Sequence, residues 1–233
     1  MATFVLVHGA WHGGWCWKRV TPLLRAAGHE VYAPTLTGLG ERAHLLSREV
    51  DLDTHTTDIV NVLEYEELTD VILVGHSYAG LVIPGVAHRL PGRVAHLVYL
   101  DAFVPRDGQC LLDLNPGAAA QQARVREEGD GWRLTPSPGA RFGVTDEADG
   151  AWLASRIGPQ PYATFTQPVR LGDTAPPAAT YIFCSQPGGF RRFAEQVRDA
   201  PGWRYRELAT GHDAMVTQPR ELTDLLLEVA ALS

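Results

Sequence analysis

Short apolar runs rich in β-branched residues recur at Phe4–Val7, Val31–Ala33, Val71–Val74, Leu97–Leu100 and Tyr181–Phe183, with a more polar one at Trp203–Leu208. Their length and residue content predict strands. Several lack the alternation of a strand with one wet face, so helices are expected to cover both faces, as in a parallel sheet. Helix-period segments lie between the runs. One sets Trp17, Val20, Leu24 and Ala27 on a face, takes Pro22 into its early turns and stops at Gly28, a residue suited to a left-handed C-cap. A second runs from about Asp58 to Leu68 with Ile59, Val62 and Leu63 inward, and a third follows Ser77. The last, after Pro219, carries Leu222, Leu225, Leu226, Val229 and Ala230 at helical spacing. Strand alternating with helix predicts βαβ units, hence a doubly wound α/β fold around a mostly parallel six-stranded sheet.

The regularity stops between about Val104 and Ala179, where Gly, Pro, Ala and charged residues mix with Trp132, Phe142, Trp152, Tyr162 and Phe165. Long irregular stretches within a domain are usually lids or linkers, and a linker seldom exposes so many aromatics. A cap over residues 104–178 is expected, set into a core of about 1–103 and 179–233, the whole forming one domain of 233 residues.

Composition narrows the function. The net charge of −7, with no basic run, lacks the footprint of a nucleic-acid binder. Cys16, Cys110 and Cys184 are odd in number and far apart, which fits a reducing cytoplasm better than a disulfide framework or a zinc site. The run Phe4–Val7 is too short for a signal peptide or a membrane span. His8 and His12 have no further metal ligand at suitable spacing, and Gly38-Leu39-Gly40 lacks the context of a phosphate loop, so neither metal nor cofactor is expected. The acidic run Glu64-Tyr65-Glu66-Glu67 reads as a solvated helix face. The expected partner is a small-molecule substrate, without nucleic acid or membrane, and a homodimer is left open.

Val71 to Val74 lead into Gly75-His76-Ser77-Tyr78-Ala79-Gly80, a strand followed by a serine among small residues and then a helix. This is the pattern of a nucleophile elbow, whose sharp turn leaves no room for bulk at positions 75 and 79. An ordinary helix N-cap would use the same serine, yet would not need those small neighbours. A serine hydroxyl needs a base and a pair of donors for the oxyanion it creates. His212, in the loop before the last helix, stands where chain order puts the base. The backbone N–H groups of Ala10, in the loop after the first strand, and of Tyr78 are the candidate donors. Trp11, His12 and Met215 are candidate substrate contacts, while Trp17 reads as core and His76 earns no role from its type.

His8-Gly9-Ala10-Trp11-His12-Gly13-Gly14-Trp15-Cys16-Trp17, Pro22-Leu23-Leu24, Ala27-Gly28-His29, Val71–Gly80 and Gly211–Met215 together resemble the plant methylesterase and hydroxynitrile-lyase family and its bacterial esterase relatives. The likeness covers roughly two-thirds of the chain, excluding the cap. It implies the α/β-hydrolase fold, with the cap inserted after the strand ending at Asp101 and a small apolar pocket beneath it. The lyases resemble this chain but carry threonine where Gly9 stands and lysine where Asp213 stands, and a carboxylate cannot stabilise departing cyanide as a cation does. The family's triad acid corresponds to Pro187, and no Asp or Glu occurs from 174 to 194. Asp101, ending Leu97–Leu100, is the candidate in its place, although an Asp there also commonly caps a turn. Glu195, Asp199, Gln186 or a water remain alternatives for orienting the imidazole.

The expected activity is serine-dependent cleavage of a small, apolar or aromatic ester. Two other readings stay open on the same fold: a catalytically weak binding protein, and a natural-product tailoring enzyme that closes a lactone or dehydrates.

Overall fold

The computed structural model describes residues 1–136, 142–172 and 175–232. Six strands, β1 (Thr3–Val7), β2 (Glu30–Tyr32), β3 (Val71–His76), β4 (Val94–Leu100), β7 (Ala178–Cys184) and β8 (Trp203–Leu208), form one sheet in the order β2-β1-β3-β4-β7-β8. Every pairing in it is parallel, where the sequence pattern promised only a mostly parallel sheet. The remaining strands, β5 (Arg133–Leu134) and β6 (Gln160–Pro161), pair antiparallel between β4 and β7 in the chain.

Alternate residues of the sheet enter two separate apolar layers. Val5, Val7, Leu73, Tyr99 and Phe183 belong to one, with Ile59, Leu63, Ile83 and Val86; Phe4, Leu6, Val74, Val98 and Ile182 belong to the other, with Trp17, Leu24, Leu222 and Leu226. Burial on both faces explains the unbroken apolar runs.

The helices in chain order are α1 (Thr21–Ala26), α2 (Leu52–Tyr65), α3 (Val82–Arg89), α4 (Leu111–Leu114), α5 (Ala118–Glu128), α6 (Glu147–Ala154), α7 (Ala163–Thr166), α8 (Arg191–Val197), α9 (Ala214–Thr217) and α10 (Pro219–Ala230). The first helical segment is split: Gly14–Arg19 is a 3₁₀ turn, α1 follows, Ala27 is exposed rather than facing the core, and Gly28 closes it at φ +87°. Helix α2 begins six residues before the position the apolar period predicts. Asp51 caps it, accepting from Thr54 N–H at 2.8 Å, and Thr56 and Thr57 hydroxyls donate back to the carbonyls of Leu52 and Asp53. A threonine-rich first turn has modest helix propensity, so the cap rather than the period marks this start.

Among its described residues, the segment that looks irregular in sequence holds four helices and one short antiparallel strand pair, most too brief to show a period. No helix among the described residues is long and apolar enough to cross a membrane.

Candidate active site

Strand β3 ends at His76, and Ser77 takes φ +54°, a left-handed backbone that costs a non-glycine residue energy. The neighbours make the turn feasible. A Cβ at Gly75 would lie 2.9 Å from both Ala79 O and Ile83 Cδ1, and one at Gly80 would run into Phe103 O. Phe103 N–H in turn donates to Ser77 O at 3.2 Å, tying the chain after β4 to the turn.

Asp101 follows β4 directly, is 2% exposed, and lies 2.6 Å from His212 Nδ1 through its Oδ2. Its other oxygen accepts from Cys184 N–H at 3.1 Å, and its own N–H donates to Ile182 O at 2.8 Å, so the adjacent strand β7 orients the carboxylate. With one ring nitrogen committed to Asp101, His212 keeps Nε2 free. Glu195 and Asp199 are exposed on α8 and just past it, and Gln186 engages Thr210 O through its backbone. Pro187 instead helps line a cavity of about 200 Å³ on the Asp101 side of the ring.

His212 stacks on Phe190 with centroids 4.8 Å apart and planes 3° from parallel, while the His76 ring lies 4.5 Å away on a tilt. His76 Nε2–H donates to His212 O at 3.0 Å. Burial pushes the His76 pKa well below its ordinary value, and the neighbouring His212 and His12 push the same way, so His76 is neutral.

The loop after β1 is dense with histidine. His8 accepts from Leu36 N–H at 3.0 Å, which leaves Nδ1–H to donate to Gly9 O at 2.8 Å; burial holds its pKa down to about 3. His12 faces two acceptors, Ala10 O at 2.7 Å from Nδ1 and Asp213 Oδ2 at 2.9 Å from Nε2. Its ring therefore carries a proton on each nitrogen. Burial opposes that charge, but the Asp213 carboxylate and the hydrogen bond to it more than offset burial, and the pKa is raised. A Cβ at Gly9 would lie 2.8 Å from His76 Nδ1 and 3.0 Å from Ser77 Cβ, so the loop and the turn touch backbone against side chain. Among the described residues, the backbone N–H groups of Ala10 and Tyr78 have no hydrogen-bond partner. The Tyr78 side chain points away from this gap: its hydroxyl lies 2.9 Å from His55 Nδ1, and His55 Nε2–H donates to Thr37 O.

Ser77, Ala10, Tyr78 and His212 all line one cavity of about 260 Å³, walled by Trp11, Phe103, Leu111, Phe142, Phe165 and Phe190, with Asn115 and Gln121 as polar points. No hydrogen bond joins Ser77 Oγ to the His212 ring among the described residues; the two meet as parts of the same wall. Trp11 and His12 belong to that wall, though the His12 ring nitrogens are spent on Ala10 and Asp213. Met215 does not belong to it. It is fully buried in the layer that contains Trp17 and Leu222, because the turn from His212 into α9 carries it into that layer and away from the cavity. The residues that sequence reasoning missed are Phe103, Phe190, Leu111, Asn115 and Gln121. Phe190 had a faint signal, an aromatic behind Gly188-Gly189 in the loop after β7.

His76, His212 and Asp213 bring ligand-type atoms within 4.8 Å of one another. Each makes one hydrogen bond, His76 to His212 O, His212 to Asp101 and Asp213 to His12, while His76 Nδ1 and Asp213 Oδ1 are buried without a partner among the described residues.

Residues 4–225 match the alpha/beta hydrolase family. The carbendazim hydrolyzing esterase of Nocardioides sp. (strain SG-4G) is 44% identical over 241 residues, covering 97% of this chain and 98% of that protein. Methylesterase 1 of Arabidopsis thaliana is 39% identical over 113 residues, 44% of this chain and 40% of its own length. Among solved structures, an extracellular alpha/beta-hydrolase from a Paenibacillus species, described as sharing structural and functional homology with tobacco salicylic acid binding protein 2, superposes with a TM-score of 0.86 at 26% identity over 98% of both chains.

Proposed function

This chain belongs to the alpha/beta hydrolase family, and from that premise we propose that it is a serine esterase acting on small esters with apolar or aromatic groups. The observation that carries the reading is the 2.6 Å contact of Asp101 with His212 Nδ1, which leaves Nε2 as a base on the cavity that holds Ser77. Ser77 Oγ attacks the ester carbonyl, its proton passes to His212 Nε2, and the carbonyl electron pair becomes an oxyanion facing the Ala10 and Tyr78 N–H groups. Collapse expels the alcohol, which takes the proton from His212. A water then repeats the sequence on the acyl-enzyme, giving its proton to His212 and releasing the acid and Ser77.

The aromatic wall and the volume of about 260 Å³ suit one ring or a short acyl chain. The relative that hydrolyses carbendazim makes that compound a natural first substrate to assay. The binding-protein reading drew its support from Pro187 at the acid position, and Asp101 at the ring removes that support. Hydrolysis of short aryl esters and of carbendazim by wild type and Ser77→Ala tests the proposal. Turnover lost in the variant supports it, and equal rates reject it.

A further inference from the structure

The two peptide units that flank Ala10 Cα are gripped by buried side chains from their own loop and from distant β6, with a third part of the chain behind them. The Gly9–Ala10 unit, whose N–H is the Ala10 donor, is held at its carbonyl end: Gly9 O accepts from His8 Nδ1–H at 2.8 Å and from His12 N–H at 3.4 Å. The next unit, Ala10–Trp11, is held at both ends. Its carbonyl accepts from His12 Nδ1–H at 2.7 Å, and its N–H donates to Gln160 Oε1 at 2.9 Å.

Neither grip is free to swing. His12 is fixed from behind by Asp213, the residue after His212. Gln160, fully buried on β6, donates through Nε2 to Thr164 Oγ at 2.8 Å; the Thr164 hydroxyl gives its proton to Pro161 O, so it must accept here, and the amide cannot turn over. The grip opposes a real tendency to relax. Trp11 sits at φ +66°, a genuine outlier for a bulky residue, and rotating the Ala10–Trp11 peptide is how the chain would leave it. Further bonds from Trp11 Nε1 to Leu134 O at 3.0 Å and from Gly158 N–H to Trp11 O at 3.1 Å bind the same residue to the cap.

We propose that His8, His12 with Asp213, and Gln160 are positioning residues that hold the Ala10 N–H toward the cavity, so that the cap and the His212 loop together set the oxyanion site. This rests on the serine-esterase reading. Acceptance of two hydrogen bonds at Gly9 O also polarises the Ala10 N–H, strengthening it as a donor.

The test uses Gln160→Leu, which keeps bulk but removes the acceptor, Gln160→Glu, whose protonated carboxyl restores an acceptor for Trp11 N–H and a donor for Thr164, and Asp213→Asn, which removes the negative charge behind His12. Each is assayed with an aryl ester and with an aryl trifluoromethyl ketone, whose adduct on a serine is an oxyanion. Gln160→Leu is expected to lower kcat by about tenfold or more, toward the ~10²–10³ of a lost donor, with KM within about twofold. Ketone affinity should fall by the same factor as kcat, and Gln160→Glu should recover most of both. Should Gln160→Leu not fold, Asp213→Asn is read by the same kcat and ketone criteria. A folded variant with a raised KM, an unchanged kcat and unchanged ketone affinity overturns the proposal while the esterase reading stands. Wild-type turnover that survives Ser77→Ala overturns the esterase reading and this proposal with it.

Discussion

His76 Nε2–H donates to the carbonyl of His212 at 3.0 Å, so the residue before Ser77 holds the backbone of the residue proposed as its base. The two loops come from positions far apart in the chain, and this partly buried bond sets their spacing. His76→Leu is expected to cost about 1–3 kcal/mol of stability by leaving that partly buried carbonyl unpaired, and to lower kcat more than KM as His212 loosens. Urea denaturation together with ester kinetics checks both. Retention of full kcat in a measurably destabilised variant rejects the link.

Asp101→Asn keeps the side-chain shape and removes the charge. An amide presents either its N–H or its carbonyl to Nδ1, and only the carboxylate both fixes the tautomer and stabilises the imidazolium. A fall in kcat of about 10⁴ is expected, as in triads of this kind, with little change in the binding of a non-reacting ketone. The rate of fluorophosphonate labelling at Ser77 should fall in parallel. Wild-type labelling in Asp101→Asn would mean that another group orients His212.

Much of this was legible in the residues. The strands show because β-branched runs buried on both faces leave a continuous apolar signal, and the elbow shows because its steric demands fall on adjacent positions. Asp101 is visible as the last residue of a strand run, but its contact with His212 depends on β4 lying beside β7, a matter of strand order rather than spacing. The His12–Asp213 pair joins positions 201 apart and carries no local pattern at all. Met215 misled for the opposite reason: closeness in sequence to His212 suggested closeness to substrate, and one turn of helix sent it into the core. The cap stayed opaque because its order comes from single long-range polar bonds such as that between Trp11 N–H and Gln160, which leave no period.

The cap also crosses the His212 loop backbone against backbone. A Cβ on Gly211 would lie 2.5 Å from Gly143 O and 2.6 Å from Gly143 Cα, and Asp213 N–H donates to Phe142 O at 3.0 Å just beside that crossing. Gly211→Ala must push the two segments apart, at a cost of about 1–3 kcal/mol for overpacking. Because Phe142 and His212 share the cavity wall, KM for aryl esters should rise as well. Thermal melting and KM measured on the same preparation decide this, and a variant unchanged in both shows that the crossing has slack.

Buried neutral histidines should dominate the acid side of the stability profile. Burial holds His8 at about 3 and His55 and His96 at about 4, and it pushes His76 well below its ordinary value, against 6.5 for the free group. Between each folded value and 6.5 the unfolded chain binds a proton that the native state does not, so stability rises with pH across that window. The contribution is fully present above about pH 6.5 and is lost as pH falls toward the folded values. His12 runs the other way: its folded pKa is raised, so its contribution is present below 6.5 and is lost as pH climbs. Four depressed groups outnumber it, and unfolding free energy from urea titrations should drop steadily from about pH 6.5 to 4.5, by about 1.4 kcal/mol per pH unit for each histidine. His96, on β4 and bonded to Thr180 Oγ at 2.8 Å, lies outside the cavity wall and can be removed without touching the proposed chemistry. His96→Gln should reduce that slope by about one proton, roughly 1.4 kcal/mol per pH unit, whatever it does to stability at neutral pH. A slope equal to wild type would show that His96 takes up its proton in the folded state.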